Sequence, residues 1–228
     1  VPSNVFINNW INEKEIYPLE QNHPKIVAFK EKYNLQDKFI IMYSGNIGLY
    51  YDLENIIKVI GEFKDREDVV FAFIGDGTVK SKIEEYVTDN KLNNVTFIPY
   101  QDKADLIYSL NAADIHWVVN AKGIKGVSVP SKLYGVMAAG KPVLGVLDEG
   151  SEARLIVEEC NCGVCIEPGN YKEISRNIEY ILNNKELIKS LGQNGRKYLE
   201  VNLTKDVSIN KYKETILSLD NKKALTTN

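Results

Sequence analysis

The feature that most constrains this chain is a regular alternation of short apolar runs with helical patterns. Each apolar run is rich in β-branched and aromatic residues, and most are continuous rather than alternating, which is typical of strands buried on both faces. The runs that we interpret as strands are 39–43, 69–74, 95–98, 115–119, 142–146 and 164–166. Helical patterns between them indicate β-α-β units around a parallel sheet.

Helical patterns fill the intervals between the predicted strands and continue after the last one. An apolar stripe from Leu53 to Ile60 recurs at helical spacing behind Asp52, a candidate N-cap. Asn170 and Glu173 resemble a capping box at the start of another helix. The other helices are expected near 25–33, 80–90, 102–111, 131–139, 152–159, 185–199 and 205–219. Together these elements predict an α/β fold with a single Rossmann-like doubly wound parallel sheet and extra C-terminal helices.

Composition agrees with one globular domain, because 44% of the 228 residues are hydrophobic and 26% are charged. We divide the chain into an interdomain segment, 1–24, a Rossmann-like domain, 25–204, a C-terminal helix, 205–220, and a frayed tail, 221–228. A net charge of -3 with dispersed basic residues argues against nucleic acid as a partner. The sequence shows neither a signal peptide, nor an initiator methionine, nor the roughly 20 apolar residues of a bilayer span. We therefore expect a cytoplasmic piece of a longer protein.

Three cysteines in one short segment, Cys160, Cys162 and Cys165, raise the alternative of a zinc site. No fourth Cys or His follows nearby in the sequence, and Cys165 lies in a predicted strand, where neighbouring side chains alternate between faces. Buried free thiols are the favoured interpretation. No metal site is predicted.

Loops that follow the strands should carry the chemistry, because ligands of open parallel sheets bind outside the carboxyl ends of the strands. In the first loop, 44–48, Gly45 and Gly48 allow close approach of the backbone to a ligand, and amides at a helix start favour an anion. The same glycines can serve a tight turn alone. Asp76 could act as the acid of a dinucleotide fingerprint, but the loop has only G-x-x-G, and it lacks the Gly-Lys-Ser/Thr of a P-loop.

The loop after the fourth strand, 120–128, is the most unusual part of the sequence. It contains Lys122 and Lys125 and leads directly into Pro130-Ser131-Lys132. Proline suits the first turn of a helix, where its missing N–H costs nothing. The arrangement puts amides, a hydroxyl and lysines at one helix N-terminus, which could cradle a diphosphate. A flexible basic loop with an ordinary cap is the alternative.

The stretch 127–144, VSVPSKLYGVMAAGKPVL, resembles the carboxy-terminal donor-binding domain of family four retaining glycosyltransferases of the GT-B fold. Within that family it is most similar to the N-acetyl-L-fucosamine-type transferases of bacterial surface polysaccharide synthesis. Supporting matches, loose singly but specific in order and spacing, are 43–48, 73–77, 94–100, 112–114, 150–152 and 162–169. The opening 6–12 resembles the junction where the second domain begins. The resemblance implies a donor-binding half without its amino-terminal acceptor domain, inactive by itself.

The resemblance also implies which residues contact the donor. Those expected beside the diphosphate are Gly45, Asn46 and Gly48 on one side and Val127, Ser128, Ser131 and Lys132 on the other. Those expected near the nucleobase are Pro99 and Tyr100. The sugar is expected near 123–126, which includes Lys125 and Gly126, and near 148–152, where one of Asp148, Glu149 and Glu152 is a candidate to touch its hydroxyls.

The chain departs from the family pattern at two places. Many members carry Glu-x7-Glu where this chain has Val127 and Gly135, so the ribose contact falls to Tyr134 or Glu152. Members also often have Arg and Lys after the first strand, where this chain has Asn46 and, roughly, Tyr51. The charge of the diphosphate is then expected to be met by Lys132, helped by Lys122 or Lys125, since a diphosphate in a dehydrated site needs cationic and amide donors. His116 is expected to be a packed strand residue.

The activity that the resemblance implies is transfer, with retention, from a nucleotide-sugar. The expected donor is a UDP-N-acetylamino-sugar and the acceptor a polyprenyl-linked or other saccharide. We expect no metal and no other cofactor, and a cytoplasmic site that can be peripheral to the inner face of the membrane. A non-hydrolysing UDP-sugar epimerase and a non-catalytic nucleotide-binding module are the alternatives.

Overall fold

One parallel sheet forms the centre of the chain, for which a computed structural model describes residues 5–127 and 129–226. Its six strands follow the order β3-β2-β1-β4-β5-β6. They are β1 (Phe39–Ser44), β2 (Val69–Ile74), β3 (Val95–Ile98), β4 (Ile115–Val119), β5 (Val143–Val146) and β6 (Gly163–Ile166). This order is that of a doubly wound Rossmann-like fold. The predicted fold class is confirmed.

Nine α-helices in the described part of the chain connect and cover the strands. They are α1 (Pro24–Lys32), α2 (Leu53–Gly61), α3 (Lys80–Asp89), α4 (Leu106–Ala112), α5 (Lys132–Ala138), α6 (Glu152–Cys160), α7 (Tyr171–Asn183), α8 (Leu187–Asn202) and α9 (Lys205–Thr226). A short 3₁₀ turn, Leu49–Tyr51, which was not predicted, lies between β1 and α2. Among the described helices, none combines the length and the apolar character that crossing a membrane requires.

The two faces of the sheet are buried under separate layers of helices. In β1, Phe39, Ile41 and Tyr43 join a core cluster with residues of α2, α3 and α7, whereas Ile40 and Met42 join a second cluster with residues of α1. Successive side chains of a strand point to opposite faces, so a strand covered on both sides needs an apolar residue at every position. Burial of all the residues of β2 satisfies this condition.

Both predicted N-cap residues lie at the expected positions, but neither side chain makes a capping hydrogen bond. Asp52 precedes α2, but its carboxylate accepts from Tyr171 Oη and from Asn55 Nδ2, each at 2.7 Å, and not from the helix backbone. Its backbone has φ 51°, unlike the extended N-cap geometry that aims a side chain at the first amides of a helix. Asn170 precedes α7, but its side-chain amide donates to the carboxylate of Glu173 and no capping bond forms.

Two helix ends also differ from the prediction. α4 begins at Leu106, because residues 103–105 form a turn instead of the first helical turn expected from 102. α9 continues to Thr226, beyond the predicted end near 220, since no glycine or proline interrupts that stretch. The predicted tail is therefore helical as far as Thr226, and 227–228 lie outside the described residues.

The opening segment is fastened to the end of the domain. Ile11 forms an isolated parallel bridge with Thr204. The guanidinium of Arg196 in α8 donates to the carbonyl oxygens of Ile16 at 3.0 Å and of Ala138 at 2.8 Å. These bonds tie three separate parts of the chain together.

The strand order places a crevice between β1 and β4. These strands are neighbours, but the chain continues from β1 toward β2 on one side and from β4 toward β5 on the other. The connections that leave their carboxyl ends therefore diverge, and this switch point is where open α/β sheets bind ligands. The loop 45–48 and the start of α5 flank this crevice.

Candidate functional site

A cleft of about 440 Å³ opens at the switch point between β1 and β4. Its volume is within the range of small-molecule and cofactor sites. One wall is the loop after β1, and the opposite wall is the start of α5. The predicted site residues that line it are Gly45, Asn46, Tyr100, Ser131 and Lys132. The structure thus brings the glycine loop and the start of α5 together across one cavity.

The loop after β1 is held from below by hydrogen bonds within the fold. The amide of Gly45 donates to the carbonyl of Ile74 at 2.9 Å, and that of Ile47 donates to the carbonyl of Asp76 at 2.8 Å. Among the hydrogen bonds of the described residues, none engages the amides of Asn46 and Gly48. Of these two residues, Asn46 lines the cleft, so its amide is the donor that this loop can offer an anion, whereas the predicted Gly48 does not line it.

A second glycine explains how this loop is held so closely. Gly75 follows β2 with φ +138°, and a Cβ atom built on it would lie 2.0 Å from the carbonyl oxygen of Gly45. No side chain fits at that distance, so the loops after β1 and β2 can meet only through glycine. Gly48 is buried behind the loop, where a Cβ would lie 3.0 Å from the side chain of Asn46.

Lys132 is the central charged residue of the cleft. Its Nζ atom is buried and has no hydrogen-bond partner among the described residues. The ammonium lies 3.8 Å from the ring centroid of Tyr43 and 4.2 Å from that of Tyr51. Burial lowers the pKa of Lys132 from 10.5 to about 7, because the charged form loses its hydration. An anion bound beside this amine would favour its charged form.

The attraction for an anion depends on Lys132 more than on the helix that carries it. α5 is only 7 residues long, and its N-cap Ser131 makes no side-chain capping bond. The aligned peptide dipoles of so short a helix are few. Ser131 lines the cleft with its hydroxyl uncommitted to capping, so it can serve a ligand as donor or acceptor.

Two residues of β4 that line the cleft contribute differently. His116 is buried, and its Nε2 atom lies 2.9 Å from the carbonyl oxygen of Leu110. Burial lowers the pKa of His116 to about 4, so the ring is neutral at neutral pH. The expectation of a packed strand residue is therefore confirmed. Trp117 was not predicted as a site residue. Its side chain lines the same cleft, and its indole Nε1 atom has no hydrogen-bond partner among the described residues.

A second cavity of about 300 Å³ adjoins the start of α6. Its lining includes four predicted site residues, Lys125, Gly126, Val127 and Glu152. The ammonium of Lys125 donates to the carbonyl of Glu149 at 2.7 Å, so it is turned toward this cavity and not toward Lys132. The structure therefore places Lys125 and Lys132 in separate cavities.

The acidic residues after β5 have structural partners. The carboxylate of Asp148 accepts from the amides of Gly123 at 3.1 Å and Lys125 at 3.2 Å, which fixes the loop between β4 and α5. The backbone amide of Glu149 donates to the carboxylate of Glu167 at 3.1 Å. Glu152 is the one of these three acids that lines the second cavity, so it is the best placed for a ligand.

The two candidates for a ribose contact lie together but away from the first cleft. Tyr134 Oη donates to Glu152 Oε1 at 3.4 Å, and Asn8 Nδ2 donates to the same oxygen at 3.1 Å. Tyr134 is buried, and neither residue lines the cavity beside Lys132. Gly135 lines that cavity instead, where the wall is main chain.

The remaining predicted site residues lie at the margin. Pro99 is exposed beside Tyr100, whose hydroxyl lies 3.4 Å from the carbonyl oxygen of Asp76. Lys122 is exposed and belongs to the lining of neither cavity. Ser128 lies outside the described residues. No group of three or more His, Cys, Asp or Glu side chains within the described ranges is arranged to hold a metal ion, and Cys162 is a buried free thiol.

Comparison with known proteins gives a family match over most of the chain. Residues 26–198 match the family described as Glycosyl transferases group 1. The chain is 31% identical over 209 residues to the probable glycosyltransferase WbjE of Pseudomonas aeruginosa, covering 91% of this chain and 50% of that protein. It is also 31% identical over 181 residues to the putative colanic acid biosynthesis glycosyl transferase WcaI of Escherichia coli K12, covering 78% and 43%. The chain thus spans about half the length of the curated relatives it matches.

Solved structures agree on the fold. The structure of Alr3699/HepE from Anabaena in complex with UDP and glucose superposes with a TM-score of 0.75 at 16% identity, covering 94% of this chain and 56% of that one. At this identity the likeness concerns the fold. It agrees with the six-stranded parallel sheet described above.

Proposed function

The chain belongs to the group 1 glycosyl transferases, and we propose that it is the half of such an enzyme that binds the nucleotide diphosphate of a sugar donor. The observation that carries this proposal is the buried ammonium of Lys132, which has no anionic partner in the described structure and faces the switch-point cleft. A diphosphate supplies the missing charge. The relatives are about twice as long as the part that this chain matches, which supports a second half that binds the acceptor.

The two cavities suggest how the donor would lie. The diphosphate would meet Lys132 and the amide of Asn46 in the first cleft. The nucleobase would extend toward Tyr100 at the rim of that cleft. The sugar would occupy the second cavity, where Glu152 and the main chain of 125–127 are available to its hydroxyls. Hydrogen bonds from charged donors to phosphate oxygens are short and strong, so Lys132 would fix the position of the donor.

In the reaction, the bond between the anomeric carbon and the diphosphate oxygen breaks, a new bond forms to the oxygen of an acceptor hydroxyl, and the proton of that hydroxyl passes to the departing diphosphate. Negative charge then grows on the departing diphosphate. An ammonium already fixed in a dry pocket stabilises that charge without reorganising solvent. We assign this role to Lys132 and the loop amides rather than to a metal ion, and expect UDP binding to be unchanged by a chelator.

We further propose a UDP-N-acetylamino-sugar as donor, retention at the anomeric carbon, and a saccharide or polyprenyl-linked acceptor in bacterial polysaccharide synthesis. Support for uridine comes from the complex of HepE with UDP and glucose. Support for polysaccharide synthesis comes from the name of WcaI. The resemblance of 127–144 to N-acetyl-L-fucosamine-type transferases supports the amino-sugar.

Isothermal titration of this chain with UDP tests the proposal. We expect saturable binding with a dissociation constant of about 1 mM or lower, which corresponds to a favourable binding free energy of about 4 kcal/mol or more. ADP should bind more weakly than UDP. Circular dichroism establishes that the sample is folded. A folded sample that gives no heat of binding with UDP at several millimolar would refute a donor-binding function.

A further inference from the structure

The surroundings of Lys132 are unusual for a buried cation, because they are aromatic and not acidic. The rings of Tyr43 and Tyr51 lie on its ammonium at 3.8 and 4.2 Å. The rings also contact each other edge to face, with centroids 6.1 Å apart. Among the described residues, no carboxylate forms an ion pair with this lysine, and its Nζ atom has no hydrogen-bond acceptor.

We propose that Tyr43 and Tyr51 form an aromatic clamp that positions the Lys132 ammonium for the donor diphosphate, and that binding of the diphosphate draws one proton from solution onto Lys132. The inference rests on the proposed function. Tyr43 and Tyr51 are positioning residues in it, because they act on the ligand through Lys132.

The clamp is built from two different elements. Tyr43 lies in β1, is buried, and donates from its hydroxyl to the carbonyl of Asn46 at 2.6 Å. Tyr51 ends the 3₁₀ turn that follows the glycine loop and is only partly buried. Tyr43 therefore forms a fixed floor, and Tyr51 is the side of the clamp that separates the ammonium from water.

Rings suit this task because they attract a cation without competing for it as a carboxylate would. The face of an aromatic ring is electronegative and favours the charged lysine, but it accepts no hydrogen bond of the strength that phosphate oxygens offer. A carboxylate at the same place would neutralise the ammonium before the ligand arrived. The clamp thus leaves the hydrogen-bonding capacity of the ammonium for the diphosphate.

Proton uptake follows from the balance of burial and charge around Lys132. The titratable groups near it are Tyr43, Tyr51, the neighbouring Tyr100 and His116 of the same cleft, and none of these is a carboxylate. Burial raises the pKa of Tyr43, so its hydroxyl stays protonated and supplies no proton. Burial lowers the pKa of Lys132 to about 7, whereas a bound diphosphate raises it again by its charge. Above pH 7 the ligand must therefore recruit a proton.

Calorimetry with UDP measures this proton directly. At pH 8, titrations in buffers of different ionisation enthalpy give the number of protons taken up from the slope of the observed enthalpy. UDP has its own titratable phosphate, so Lys132→Arg is the matched baseline: arginine keeps the charge and stays protonated. We expect the wild type to take up about 0.9 proton more than Lys132→Arg at pH 8. Between pH 7.5 and pH 9, the dissociation constant for UDP should rise about 20-fold more in the wild type than in Lys132→Arg.

Substitutions of Tyr51 test the clamp. Tyr51→Phe keeps the ring, and we expect it to retain the proton uptake and the pH dependence of the wild type. Tyr51→Leu removes the ring and admits water to the ammonium, so the pKa of Lys132 returns toward its ordinary value. We expect its proton uptake at pH 8 to fall to the Lys132→Arg baseline. Circular dichroism of both variants establishes folding, and a change that is only structural would lower affinity at every pH alike.

The outcomes separate the two proposals. If the folded wild type binds no UDP, the proposed function fails and this inference fails with it. If the wild type binds UDP with the same proton uptake as Lys132→Arg, the proton step is refuted while donor binding stands. If Tyr51→Leu takes up as many protons as Tyr51→Phe, the aromatic clamp is refuted.

Discussion

Replacing Lys132 with methionine should stabilise the folded chain and weaken its binding of UDP. Methionine keeps an unbranched chain of similar reach against the rings of Tyr43 and Tyr51 and removes the amine. The two effects have opposite signs because the buried amine destabilises the fold when no anion is bound and contributes to affinity when the diphosphate is bound. Few substitutions separate a functional role from a structural one so directly.

The size of the stability effect follows from the pKa of Lys132, which burial lowers from 10.5 to about 7. At 1.36 kcal/mol for each unit, that shift corresponds to roughly 4 kcal/mol of destabilisation at pH 7. Lys132→Met is therefore expected to raise the free energy of unfolding by about 4 kcal/mol at pH 7.

The effect on stability also has a defined pH dependence. Between pH 7 and the ordinary pKa of lysine, the unfolded chain holds a proton on Lys132 that the folded chain has lost, so stability rises with pH. From pH 7 to pH 9 this rise amounts to about 2 kcal/mol in the wild type relative to Lys132→Met. The advantage of the variant should therefore shrink as the pH increases.

The binding effect is estimated from the charge-assisted hydrogen bond that Lys132 would make to the diphosphate. Its loss is worth about 2 kcal/mol, which is about a 30-fold rise in the dissociation constant for UDP. Urea unfolding at pH 7 and pH 9 measures stability, and isothermal titration measures affinity. A variant that is less stable than the wild type at pH 7, or that binds UDP equally well, would refute the reasoning.

Three further predictions concern other parts of the fold. Gly75→Ala should lower the free energy of unfolding by more than about 3 kcal/mol, because its Cβ would lie 2.0 Å from the carbonyl oxygen of Gly45. Gly123→Ala, which has open space around its Cβ, should lower it by about 1 kcal/mol. Urea unfolding compares the two variants, and equal losses would contradict the close approach of the two loops. Arg196→Met should cost about 2 to 3 kcal/mol by chemical denaturation, since two buried carbonyl groups lose a charged donor, and a neutral result would show that the opening segment is not held by it. Burial lowers the pKa of His116 to about 4, so the unfolded chain binds a proton on this residue first as the pH falls. The free energy of unfolding should therefore drop by about 3 kcal/mol from pH 6.5 to pH 4. A His116→Gln variant with an equally steep loss over that range would contradict the role of His116 in this pH dependence.

The strands could be predicted from the sequence because burial on both faces leaves a signal at every position. The bounds predicted for β2, β3 and β4 are the observed ones. The caps of α2 and α7 could not be predicted in the same way, because a cap depends on where a short polar side chain finds its partner. Asp52 finds it in Tyr171, 119 positions along the chain. Local sequence carries no record of such a contact.

The candidate site was predictable to the extent that it follows from topology. Gly45 and Lys132 both follow strands whose carboxyl ends meet at the switch point, so their proximity follows from the strand order. The separation of Lys125 from Lys132 does not, because it depends on the path of the loop that Asp148 fixes. The continuous apolar run 39–43 placed Tyr43 in a strand buried on both faces, but nothing in the sequence showed that Tyr51 folds back beside it.

A crystal structure of this chain with UDP bound tests directly whether Lys132 binds the diphosphate in the switch-point cleft. We predict the diphosphate in the cleft between β1 and β4, with an oxygen atom within about 3 Å of Lys132 Nζ and with the amide of Asn46 donating to it. A nucleotide bound elsewhere, or bound in this cleft with Lys132 still confined between its two tyrosines and without a phosphate contact, would contradict the account.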